Sequence, residues 1–131
     1  MPASTAVVNT GRAIVTGRII GTGNEPKNLG VGTGTTAVAL TDSALGTEVD
    51  SRVAGTSSRT TTTTTNDTYQ VTATYTCGAT PRVIGEAGLF DSTTVAGSTM
   101  FVRGVLASTI SLAAGDSIAF TVTVQVTSAV V

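Results

Sequence analysis

The chain has 131 residues, with seven basic and eight acidic side chains, no His, no Trp and a single Cys. This length supports one hydrophobic core. A net charge of −1 argues against long-range attraction to nucleic acid or an acidic membrane, and the missing imidazoles remove triads, His metal sites and proton shuttles together. An enzyme would have to work with carboxylates alone, and no cofactor is expected. Only 11% of residues are charged against 40% apolar, an uncharged surface for a free monomer, so self-association or docking on a partner is anticipated. Roughly a fifth of the chain is threonine, which is β-branched and suits the wet face of a sheet.

Residues 1–25 stand apart. They hold two apolar bursts, Ala6-Val7-Val8 and Ala13-Ile14-Val15 continuing to Ile19-Ile20, with Arg12 and Arg18 and no carboxylate before Glu25. The segment reads either as one more pair of strands or as an extended arm on another subunit. Its apolar content is too large to leave in water, and pairing with a neighbour's sheet edge would bury it. Val7, Val8, Arg12, Ile14, Arg18, Ile19 and Ile20 are therefore the candidate partner-binding residues, and residues 1–24 would be removable without unfolding the β-sandwich domain, 26–131.

Asn28 to Val31 reads as a short strand leading into Gly30-Val31-Gly32-Thr33-Gly34-Thr35-Thr36. That glycine-rich run lacks the Lys-Ser/Thr end of a P-loop and a good helix start after it, so a turn-rich connection is the better reading. Thr41-Asp42-Ser43-Ala44-Leu45, closed by Gly46, has the form of a capped helical turn. Glu48 to Gly55 and the Arg59 to Thr65 tract, with six consecutive threonines, read as strands or their approach.

Tyr69, Val71, Ala73, Tyr75 and Cys77 alternate with polar residues, as do Ile118, Phe120, Val122, Val124 and Val126 in the stretch Ser117–Thr127. Period two marks strands with one buried face. Between them, Arg82–Phe90 and Thr99–Leu106 form a hairpin pattern around a polar, glycine-containing connection. The expected fold is an all-β antiparallel sandwich of Greek-key type, with a core on Ile118, Phe120, Val122, Val124, Tyr69, Val71, Tyr75, Leu89, Phe101 and Leu106.

Glu86 lies inside an apolar run, where an unpaired carboxylate would cost several kcal/mol. Arg82, Arg52 or Arg103 must hold it, and Arg103 is favoured because a short connection joins the two strands. Cys77 is alone and reads as a small buried apolar residue, with no intrachain disulfide possible. No apolar run reaches the roughly 20 residues of a membrane span, and no secretory signal is evident.

Asn28–Thr36 leading to Asp42-Ser43-Ala44-Leu45-Gly46-Thr47-Glu48, then Glu86-Ala87-Gly88-Leu89-Phe90-Asp91, Met100-Phe101-Val102-Arg103 and Gly115-Asp116-Ser117-Ile118, resemble a pattern of tailed-bacteriophage virion proteins. The resemblance spans about residues 28–127 and rests on turn and strand punctuation. It implies a small capsid decoration, or cement, protein on the capsid surface, made in the host cytoplasm and bridging major capsid subunits as a homo-oligomer, a trimer being favoured. A tail- or fibre-associated protein that binds a host receptor is the alternative. A single short domain without a repetitive shaft or coiled coil weighs toward the head.

Overall fold

A computed structural model describes residues 3–130. Its strands are β1 (Ser4–Val7), β2 (Asn28–Gly32), β3 (Glu48–Ala54), β4 (Thr56–Thr60), β5 (Thr68–Thr76), β6 (Arg82–Phe90), β7 (Met100–Leu112) and β8 (Ser117–Gln125), with one helix, α1 (Asn9–Ile19). A five-stranded sheet of order β1-β7-β6-β2-β3 packs on a three-stranded sheet of order β4-β5-β8. Every pairing is antiparallel. The all-β sandwich expected from the alternating patterns is the observed fold.

β6 sits at the centre. Its residues Ile84 to Phe90 are all buried, because both faces of the larger sheet are covered. On the inner side, Leu29, Val31, Ala87, Leu89 and Phe101 meet Val71 and Tyr75 of β5 in the main core. On the outer side, Phe90 packs with Val8, Leu45 and Met100 in a second cluster. A strand covered on both faces reads as a continuous apolar run rather than an alternation, which is how Val83–Phe90 reads. Cys77 is buried, as expected, and its thiol points at the Thr80 carbonyl.

Four expectations are corrected. Residues 3–20 are neither a strand pair nor an extended arm: Ser4–Val7 joins β7 as an edge strand and Asn9–Ile19 is helical. Val8 is fully buried and Ile14 enters the main core, so removing residues 1–24 would dismantle the fold rather than trim it. Thr41–Leu45 is not a helical turn, because the Asp42 carboxylate accepts from the Ala39 amide and from Arg103 instead of capping the amides that follow it.

The threonine tract is strand only at its start, where Arg59 and Thr60 end the edge strand β4, and Thr61–Thr65 turn away beyond it. Asp67 accepts the amides of Thr62, Thr63 and Thr64 at 2.8, 3.0 and 2.9 Å, and Asn66 takes a left-handed φ of 60°, which Asn tolerates better than most residues. Local capping overrides the strand preference of threonine there. Finally, Leu106, Ile118, Phe120, Val122 and Val124 pack at the margin of the core and are only half-buried, since the smaller sheet ends at β8 and leaves their flank open.

This gradient gives a direct comparison. Phe90→Ala should cost about 3–5 kcal/mol, as for a fully buried aromatic, whereas Phe120→Ala should cost less than half of that. Urea unfolding of the two variants, read by circular dichroism, checks the order.

Candidate partner-binding site

Helix α1 has little intrinsic reason to form. It contains Gly11, Gly17 and the β-branched Thr10, Ile14, Val15 and Thr16, all weak helix residues, no side-chain cap at Val8 and no acid in its first turn. Packing holds it instead. Gly11 lies so close to the Phe101 carbonyl that no side chain fits, Thr10 Oγ1 donates to the Met100 carbonyl at 2.8 Å, and the Asn9 amide donates to the Leu40 carbonyl at 2.8 Å. The helix then stops at a Schellman arrangement: Gly21, at φ 83°, donates to the Arg18 carbonyl, and Thr22 donates to that of Gly17 at 2.8 Å.

This docking splits the sequence-derived site residues into two sets. Val7, Val8 and Ile14 point into the protein's own core. Arg12, Arg18, Ile19 and Ile20 face outward, the two isoleucines at 78% and 77% exposure, joined by Val15 at 42%. Beside them runs a groove of about 850 Å³ with Ile14, Val15 and Ile19 on one wall, Val124 and Val126 on the other, and Tyr69 over Phe101. The two rings meet edge to face at 6.0 Å.

Charge sits on the rim of this groove. Arg18 and Arg59 line it; Arg18 donates to the Gly23 carbonyl at 2.8 Å, while Arg59, like Arg12 elsewhere on the exposed side of α1, has no ion-pair partner among the described residues. Tyr69 offers its hydroxyl to Glu25 and the Pro26 carbonyl, each at 3.3 Å. Burial, followed by the Glu25 carboxylate, pushes the phenol above its ordinary value, so it remains a donor at any physiological pH. Tyr69, Arg59 and Val126 were missed in the sequence because they come from β4, β5 and the end of β8, which only the fold brings to the helix.

The second polar cluster secures the outer face of the larger sheet. Glu86 is 0% exposed and Arg103 2%, and Arg103 Nη2 meets Glu86 Oε2 at 2.8 Å, as the favoured pairing required. Arg103 also reaches Asp42 at 2.8 Å and the Thr36 carbonyl at 3.0 Å. Glu86 accepts in addition the amides of Gly34, Gly46 and Thr47 at 3.2, 2.9 and 2.8 Å. The glycine-rich run therefore contributes one amide, from Gly34, to an anion site completed by Gly46 and Thr47, and that anion is a side chain of the same protein. A Cβ on Gly32 or Gly34 would come within 2.5 or 2.6 Å of Glu86 Oε1, which is why glycine stands at both.

Two further arginines join separate elements. Arg52 is bidentate to Glu48 at 2.8 and 3.0 Å, donates to Ser98 Oγ at 2.7 Å, and lies 3.4 Å from the centre of the Phe90 ring, a cation–π contact. Arg82 meets Asp50 at 2.7 Å, and Tyr75 donates to the same carboxylate. Among the described residues, no three His, Cys, Asp or Glu side chains converge as a metal site, and no helix is long and apolar enough to cross a membrane. Compared with known proteins, the chain matches no family model, no curated protein and no solved structure.

Glu86, Asp42 and Asp50 titrate low. Burial is the largest influence on Glu86 and acts upward, yet the Thr47 and Gly46 amides and Arg103 together outweigh it. The Ala39 amide and Arg103 lower Asp42; Arg82 and then Tyr75 lower Asp50. Depressed carboxylates contribute stability that is present above their unfolded values near 4 and is lost as pH falls through the folded values. The urea midpoint should thus hold from neutrality to about pH 5 and fall below about pH 4. Arg103→Met should cost about 3–5 kcal/mol by stranding Glu86, and the double change Glu86→Leu with Arg103→Met should recover part of it. Equilibrium unfolding of the three proteins measures both effects.

Proposed function

We propose that the protein is a phage capsid decoration protein that binds assembled heads and bridges major capsid subunits through the outer face of α1. The observation that carries this reading is the exposed Val15, Ile19 and Ile20 surface, flanked by Arg12 and Arg18, on a helix pinned to the sheet by Gly11, Thr10 and Ile14. A rigid apolar patch rimmed by cations suits an apolar contact with carboxylates around it. The low overall charge and the resemblance of residues 28–127 to virion proteins support the same assignment. A ligand that binds only the assembled shell stabilises that shell by its binding free energy, multiplied over many copies.

A tail- or fibre-associated receptor-binding role is the second reading, and one observation favours it. Tyr69 places a half-buried ring between Arg59 and Glu25 at the mouth of the groove, a sparse version of the aromatic and polar pairing that holds sugars. Quantifying the chain in purified virions separates the readings: hundreds of copies belong to a head, a dozen or fewer to a tail.

Ile19→Glu and Ile20→Glu should each weaken binding to shells of the cognate major capsid protein by about 30-fold, as for a hot spot worth about 2 kcal/mol, while the melting temperature stays unchanged because both side chains are exposed. Co-sedimentation with shells measures the loss. Decoration at full occupancy by the Ile19→Glu/Ile20→Glu double variant would sink the proposal.

A further inference from the structure

The two sheets are unequal, and the inequality leaves a vacant place. They are joined on one side, where β3 passes into β4 through Gly55 alone. Counted from that side, the smaller sheet has three strands and the larger has five. Among the described residues β8 is therefore a free edge that overlooks uncovered parts of β7 and β1. Helix α1 closes only the end near Phe101 and Val124. The rest is an open slot of about 330 Å³, with Thr5, Val102, Gly104 and Leu106 on the floor and Phe120 and Val122 on its side.

β8 carries none of the devices that usually protect an edge. It pairs with β5 through nine consecutive residues without a bulge, and Ser117–Gln125 holds no Pro, no Lys and no charged side chain. Such a strand presents a row of unpaired backbone donors and acceptors that templates another strand. A strand added there would complete the backbone pairing and lay alternate side chains onto the slot floor.

We propose that the occupant is the segment Val126–Val130 of a second copy, added to β8 as a fourth strand. The slot lining contains no charged residue, so its occupant should have none, and Val126-Thr127-Ser128-Ala129-Val130 has none. The length agrees: the free stretch Ser117–Thr123 spans roughly 23 Å and five extended residues roughly 17 Å. The Val126 amide still donates to the Asp67 carbonyl at 2.8 Å, but the residues after it join no strand, and the side chains of Val126, 71% exposed, and Val130, wholly exposed, are open to a partner. Its own slot is closed to it, because the chain leaves β8 at the end where α1 sits and would have to double back through the helix. The exchange closes as a two-fold pair when each copy fills the other's slot, and as a ring or filament when it runs head-to-tail. It concerns contacts between copies, and Val126 is the one residue it shares with the groove beside α1.

The test compares the full chain with one ending at Gln125, by light scattering on a sizing column. The full chain should be oligomeric and the shortened chain monomeric with the same circular dichroism spectrum. A labelled peptide of residues 125–131 should bind the shortened chain, and at least tenfold more weakly when that chain carries Leu106→Glu or, at the exposed rim, Ala107→Arg. The rim change keeps the comparison valid if the buried one impairs folding. A monomeric full chain, an oligomer that survives the shortening, or a peptide that fails to bind or ignores both substitutions would each overturn the assignment.

Discussion

The ion pair between Glu86 and Arg103 is the constraint on which the outer half of this protein depends. Removing both charges from water costs several kcal/mol per ion, a cost that only near-complete hydrogen bonding offsets. Here the requirement is met from outside the sheet. Three amides from residues 34, 46 and 47 converge on Glu86, and the carbonyls of Thr36 and Ala37 with the Asp42 carboxylate complete Arg103. A segment of low secondary-structure content thus becomes a fixed lid, because its backbone supplies the partners that the buried charges cannot do without.

That lid links the buried ion pair to the exposed helix. By closing over Glu86 it carries Leu45 onto Phe90 and Met100, and the same cluster receives Val8, the residue at which the chain turns from β1 into α1. The Leu40 carbonyl, at the crest of the lid, accepts the first amide of that helix. The exposed isoleucines of α1 are therefore presented by a layer whose position is set by a buried arginine more than a helix length away in sequence. A binding face supported in this way does not have to be ordered when a partner arrives, which lowers the entropic cost of association.

Much of the β architecture was legible: in β5 and β8 one face is buried and period two survives, β6 shows as a continuous apolar run, and the apolar setting of Glu86 with the short connection from β6 to β7 favoured Arg103 over Arg82 and Arg52. The helix was not legible from propensity, since glycines and β-branched residues argue against it and tertiary contact with Phe101 overrides them. Its stop signal was present in Arg18 followed by Gly21. The threonine tract misled for the converse reason, as a single Asp67 outcompeted strand preference by capping three amides. Of the candidate site, the residues of one segment could be read, but the opposite wall of the groove could not, because no local pattern reveals that β4, β5 and the end of β8 meet there.

The passage from β3 to β4 through a single residue makes the sandwich behave like a clasp with its hinge at Gly55. A Cβ there would come within 2.6 Å of Val71 and 2.8 Å of the Lys27 carbonyl, and its amide donates to that carbonyl at 2.8 Å, so the hinge side has no slack. Any breathing of the two sheets must open at the opposite margin, between β8 and β1. Local stability is then polarised across the molecule, with β2 and β5 opening last and the far strands first. A fold that concentrates its compliance along one seam can accept strain or a visitor there while the hinge side keeps its geometry.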